Sequence, residues 1–188
     1  MKVSREQAAL NRERILDAAA RLFRERGFEG IGVADLMREA GLTHGGFYGH
    51  FSSKDDLIAE ASARALTRSL ALLSNVPERA SGDPVSAIAG AYLTSKHRDA
   101  PGTGCLLAAL GSDVSRQGPA VRRAVTDHMR SAVELLTKLV PGRAKAARRQ
   151  KAISTYATLV GAMVLARAVD NRELSQEILE AARASVKA

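Results

Sequence analysis

Thr43, His44, Gly45, Tyr48, His50 and Lys54 crowd into one short stretch, THGGFYGHFSSK, and their residue types are those that meet nucleic acid. Hydroxyl, phenol, imidazole and ammonium groups can contact phosphate oxygens or base edges, and a glycine lets the backbone approach closely. Gly45 and Gly46 each cost a short helix about 1 kcal/mol relative to alanine, so folding alone gives them no purpose. The second place where chemistry could reside is Cys105, the only cysteine. It follows the turn cluster DAPGTG and opens an apolar run containing Leu106, Leu107 and Leu110. A helix start favours a thiolate, burial among leucines opposes one, and the residues alone favour a structural cysteine.

The elements that must hold the first cluster are legible on either side of it. Ser4 with Gln7 forms a capping-box pattern, and Ile15, Ala19, Leu22 and Phe23 give the helix that follows one apolar face before Gly27 stops it. Arg5, Arg12 and Arg14 near its start read as solvated charges or phosphate contacts. Val33, Leu36, Met37 and Ala40 make the narrow stripe of a second helix, which Gly41 ends in the left-handed conformation. Thr43 is placed to cap a third helix, with Leu42 and Phe47 turned inward and Thr43, His44, Gly45, Tyr48 and His50 on the opposite side. This is the pattern of a helix-turn-helix, whose recognition helix presents its N-terminal residues to base edges in the major groove.

Ser53 followed by Asp56 caps a fourth helix with Lys54 at its first position. The free N–H groups and dipole there attract phosphate, and Asp55 and Asp56 oppose it. The fourth helix is expected to run to about Ser74, with Pro77 and the SGDP segment ending it, and Asp83 with Pro84 starting the fifth. The division expected is residues 1–54 for DNA binding and 55–188 for a ligand-binding and dimerisation domain. No Gly/Ser linker separates the two.

Composition bounds these readings. Of 188 residues, 46% are hydrophobic, enough for a real core, and β-branched runs of period two are missing, which argues for an all-α chain of about nine helices. The formal charge is +8, yet residues 1 to 60 hold nine Lys/Arg against ten Asp/Glu, so the basic excess lies outside the recognition segment. A single cysteine excludes an internal disulfide, and no Cys/His cluster has metal spacing. Neither a membrane span nor a signal sequence is visible, so a soluble cytoplasmic protein without cofactor or metal is expected.

Towards the C-terminus, Val121, Val125, Met129, Val133, Leu136 and Val140 build a seventh helix. From about Arg143 to Val169 a basic run gives way to a helix apolar nearly all round, with Ile153, Tyr156, Leu159, Val160, Met163, Val164 and Leu165, and Ala157 and Gly161 permitting close backbone approach. The basic run itself reads as a solvated helix end. A last helix carries Ile178, Leu179, Ala182 and Val186. These two final helices suit a four-helix interface in a homodimer.

The segment AGLTHGGFYGHFSSKDDL, Ala40 to Leu57, resembles the TetR/AcrR family of bacterial transcriptional regulators, with its A-G-[VL]-[ST], its aromatic pair ending in Tyr, its His-Phe and its Ser-Lys-[DE]. The resemblance is strong over the first sixty residues and rests elsewhere on helix count and length. It implies a nine-helix dimer whose first three helices bind DNA and whose remainder encloses a ligand pocket. It places Tyr48, His50 and Lys54 on phosphate, Thr43 as cap and backbone contact, and His44 and Gly45 at base edges. Gly32, where the family usually has Thr or Ser, lacks a hydroxyl cap, and Met37 stands for the usual Ala. The Gly-Cys pair before the sixth helix resembles members that sense electrophiles and oxidants, which makes Cys105 a candidate sensor. Tyr92, His97, His128, Met129 and Tyr156 are the other pocket candidates, being polar or polarizable groups on otherwise apolar helices. The function expected is a ligand- or stress-responsive repressor, not an enzyme. It would bind a palindromic operator in double-stranded DNA as a dimer and leave it on meeting a small-molecule or electrophile inducer. Its rivals are an all-α enzyme using Cys105 with His97 or His128, and a helical adaptor.

Overall fold

The Ser4 hydroxyl accepts the Gln7 N–H at 3.1 Å, and from that cap α1 (Arg5–Arg26) runs until Gly27 turns the chain with φ of 82°. The structure, a computed structural model, describes residues 4–79 and 82–186, and among them every regular element is helical. After α1 come α2 (Val33–Glu39), a 3-10 helix (His44–Gly49), α3 (Lys54–Arg79), α4 (Pro84–Tyr92) and α5 (Ser95–Asp99). A second 3-10 turn (Pro101–Thr103) precedes α6 (Leu106–Val114), α7 (Pro119–Leu139), α8 (Lys145–Ala168) and α9 (Arg172–Ser185). None of these helices is long and apolar enough to cross a membrane.

The helix count agrees with expectation, though its membership does not. The expected third helix is a 3-10 helix, and Thr43, at its N-cap position, makes no side-chain capping bond. Three glycines in six residues leave too little helix propensity for full α-turns, and i→i+3 bonds such as Gly46 N–H to the Thr43 carbonyl close the segment instead. The expected fourth helix is α3, and it continues past Ser74 and through Pro77 to Arg79. One lost N–H bond near a helix end is tolerated where Leu70, Leu73 and Val76 are packed against a core on the same helix. The short α5 has no apolar stripe to announce it; Thr94 caps it by accepting the His97 N–H at 3.1 Å.

Burial divides into two clusters with shared walls. In the first, Ile15, Ala19, Leu22 and Phe23 of α1 meet Leu36 and Met37 of α2, Phe47, Phe51, and Leu57, Ile58 and Ala61 of α3. Leu106, Leu110 and Val114 of α6 close it. In the second, Leu73 of α3, Val85 and Ile88 of α4, Val133 and Leu136 of α7, Leu159 and Met163 of α8, and Leu179 of α9 surround Cys105. Thus α3 and α6 belong to both cores. A band of ion pairs also straps α1 to α3: Arg64 reaches Glu13 and, at 2.7 Å, Asp17; Arg68 reaches Asp17 at 2.8 Å; Arg12 reaches Glu60. Arg12 also covers the Phe51 ring at 4.7 Å, so it packs against the first core as well as pairing with Glu60.

The apolar residues expected nearly all round α8 divide between a buried and an exposed face. Ala152, Thr155, Tyr156, Leu159, Ala162, Met163 and Ala166 form its buried face, while Ile153, Val164 and Leu165 remain 46%, 43% and 57% exposed. The other described residues leave this apolar outer face uncovered.

Candidate nucleic-acid interface and ligand cavity

The recognition segment hangs on two rings. Phe47 and Phe51 are buried and stack with centroids 5.7 Å apart, which fixes the 3-10 helix against the first core. Gly41, at φ of 69°, makes the turn before it. The face that points away carries Thr43, His44, Gly45 and Tyr48, all exposed, with Tyr48 at 71% and His50 half-buried beside them. A Cβ built on Gly45 would meet nothing within 4 Å, and one on Gly46 only the Met37 methyl and Thr43 hydroxyl at ordinary distances, so neither glycine is required by internal packing. At the start of α3 the Ser53 hydroxyl accepts the Asp56 N–H at 3.1 Å, while the Asp56 carboxylate accepts the Ser52 N–H and hydroxyl. Lys54 lies 3.3 Å from Glu29, a pair near the surface of the sort worth about 0 to 1 kcal/mol.

The second site lies between α3, α4, α5 and the turn ahead of α6. A cavity of about 240 Å³ is walled by apolar groups including Leu72, Leu73, Val76 and Ile88 and by Tyr92, His97 and Cys105. The Cys105 N–H donates to His97 Nε2 at 3.0 Å, and His97 Nδ1 lies 2.8 Å from the Tyr92 carbonyl, which makes the ring the neutral Nδ1–H tautomer with both nitrogens engaged. Tyr92 stacks edge-on against that ring at 4.5 Å. Its hydroxyl is buried without a well-formed hydrogen bond, beside the Cys105 thiol; burial, then the charge of Cys105, push its pKa well above the usual phenol range. Tyr156, also next to Cys105, is raised by burial first, and its hydroxyl is hydrogen-bonded to His128 Nε2 at 2.9 Å. The expected pocket residues therefore separate. Tyr92, His97 and Cys105 line the cavity, Tyr156 and His128 form a buried pair behind the thiol, and Met129 packs half-buried beside the core and does not join them.

Comparison with known proteins gives these sites a context. The family model described as "Bacterial regulatory proteins, tetR family" matches residues 15–61. Residues 15–61 are thus similar to the DNA-binding region of that family. Among TetR-family and related regulators, the uncharacterized HTH-type transcriptional regulator YerO of Bacillus subtilis is 33% identical over 73 residues, 39% of this chain and 25% of that protein. The HTH-type transcriptional regulator AcrR of Shigella flexneri is 31% identical over 85 residues, 45% of this chain and 40% of that protein. The chain thus aligns with less than half the length of either curated relative. The reduced form of Escherichia coli NemR superposes with a TM-score of 0.78 at 27% identity, covering 94% of this chain and 95% of that one.

Two arginines around the cavity carry no local sequence signal. Arg167 on α8 donates through Nη2 to the His97 carbonyl at 2.6 Å and through Nε to the Arg98 carbonyl at 3.0 Å. Arg24 on α1 donates to the Gly102 carbonyl, through Nε at 3.0 Å. In sequence the first is a charge in the last turn of a helix, and so is the second.

The two buried imidazoles also predict a pH response. Burial lowers the pKa of His97, with Arg167 acting the same way and the Tyr92 carbonyl against it; burial also lowers that of His128, against the Leu66 backbone. The unfolded chain then takes up protons first, near the ordinary value of about 6.5. Stability is therefore full above that value and falls as the pH drops through the two folded values. Thermal melts from pH 8 to 5 should show the decline setting in below about 6.5, and His128→Asn should make it shallower. A melting temperature independent of pH over that range would contradict the neutral buried rings.

Proposed function

We propose that the protein is a dimeric, ligand-responsive repressor that binds a palindromic operator through the 3-10 recognition segment. The observation carrying this reading is an outward face of Thr43, His44, Gly45 and Tyr48 whose glycine has no internal neighbour to accommodate. In this reading His44 and Gly45 face base edges, Tyr48, His50 and Lys54 hold phosphates, and Thr43 touches the backbone. Residues 1–54 act as the DNA-binding domain and 55–188 as the ligand-binding and dimerisation domain. The uncovered apolar face of α8, together with exposed Leu174 of α9, supports pairing through the last two helices. Two recognition segments would then address half-sites about 34 to 36 Å apart.

The inducer enters the cavity beside Cys105, either as a bound small molecule or as an electrophile that adds to the thiol. The regulator NemR, crystallised in a reduced form, is a similar fold that supports a redox-responsive variant of this reading. Enzymatic use of Cys105 is disfavoured because His97 has both ring nitrogens engaged and His128 is turned to Tyr156, which leaves the thiol without a base.

A salt-controlled gel shift on operator DNA selected from a random pool tests the whole reading. Lys54→Ala should weaken binding alike for all sequences and reduce the salt slope by about 1 per lost phosphate contact. An electrophile should release wild type and not Cys105→Ser. Unaltered binding by Lys54→Ala would remove the interface, an undiminished response of Cys105→Ser would remove the thiol, and a monomeric mass in light scattering would remove the dimer.

A further inference from the structure

The cavity beside Cys105 shares part of its wall with a second space. Ser69, Leu72, Thr103 and Gly104 also line a second hollow, of about 490 Å³, between α1, α3 and the turn at Gly102. The two spaces therefore adjoin across these residues and differ in chemistry. The inner one is walled by side chains such as Leu72, Val76 and Ile88, whereas the outer one presents Arg21, Arg24 and Arg68 with the single carboxylate of Asp17.

Those three cations are not equivalent. Arg21 is paired with Glu25 and Glu39, and Arg68 with Asp17. Arg24 forms no ion pair among the described residues; Nε and Nη2 both donate to one neutral acceptor, the Gly102 carbonyl oxygen. Burial lowers its pKa, with Cys105 and Glu25 acting against the shift and Arg68 with it, so the guanidinium is set partly out of water with no carboxylate bonded to it among the described residues. A carboxylate offers such a guanidinium two parallel charge-assisted bonds, one to each oxygen, where the carbonyl offers a single neutral acceptor.

We infer that the ligand of this cavity is an amphipathic carboxylate, its anionic head on Arg24 in the outer hollow and its apolar body among Leu72, Val76 and Ile88. The inference deepens, and rests on, the reading of this cavity as the inducer site. It also supplies a link to DNA binding. The Arg24–Gly102 contact ties α1 to the turn that leads into Cys105, and a carboxylate that captures Arg24 loosens that tie.

The test is calorimetric titration of the full chain with octanoate and with 1-octanol, two non-electrophilic probes of equal chain length. Octanoate should bind about tenfold more tightly at low salt, with the preference shrinking as salt is raised. In Arg24→Gln the preference should fall below about threefold through loss of octanoate affinity alone, and Arg24→Lys should keep most of it. Equal binding of the two probes by wild type overturns the carboxylate and leaves the cavity reading standing; this arm decides even if Arg24→Gln does not fold. A preference unchanged in Arg24→Gln overturns the assignment of the head group. If neither probe binds, the cavity reading falls with the inference.

Discussion

Gly45→Val should leave the protein folded and nearly abolish operator binding. A Cβ at Gly45 points into open space and the backbone there is not in the left-handed region, so the branched side chain strains nothing within the chain. Its cost to stability should lie within about 0.5 kcal/mol, as for other exposed substitutions. On DNA the same methyl groups occupy the gap through which backbone meets base edges. A mismatched contact costs about 1–3 kcal/mol, and a dimer presents the defect twice, so affinity should fall by about a hundredfold or more. Gly30 shows what an internally required glycine looks like: a Cβ there would lie 1.8 Å from the Arg26 carbonyl oxygen. Melting curves and gel shifts on Gly45→Val read the two quantities separately. Retained affinity would mean that the segment does not approach DNA by its backbone.

Gly104→Ala should act in the opposite sense, on the fold and the cavity together. The added Cβ would come 2.5 Å from His97 Cδ2, 2.6 Å from Nε2 and 3.2 Å from Arg167 Nη2. The ring cannot step aside cheaply, because the Tyr92 carbonyl holds one nitrogen and the Cys105 N–H the other. Overpacking of this kind costs about 1–3 kcal/mol, and each kcal/mol lowers the melting temperature of a domain this size by about 2–4 °C. Gly111→Ala is the control: it lies inside α6, a Cβ there meets nothing within 4 Å, and it should stabilise by up to about 1 kcal/mol. If both variants melt alike, the packing of His97 against Gly104 is not a constraint.

What was legible in the sequence was local. Ser4, Asp83 with Pro84, Gly41 and the Ser53–Asp56 pair each cap or turn a helix through bonds to residues a few positions away, and each does so in the structure. The inward Phe47 and outward Tyr48 followed from helical spacing, which a 3-10 helix preserves well enough over one turn. The misses arise where partners are distant in the chain. Nothing near Arg24 announces Gly102, and nothing near Arg167 announces His97, since those contacts span 78 and 70 positions. Met129 was drawn towards the pocket by its residue type, but its place on α7 sets it beside the core instead. The passage of α3 through Pro77 likewise depends on packing that a local rule does not register.

The ion pairs between α1 and α3 complicate what a salt titration of DNA binding would measure. Counterions compete for phosphate contacts and, in the same experiment, for the bonds that Arg64, Arg68 and Arg12 make to Glu13, Asp17 and Glu60. Raising salt thus relaxes the seating of the first helix as well as the grip on the duplex. A slope taken at face value overcounts the phosphates neutralised, and melting curves at the same salt concentrations supply the correction.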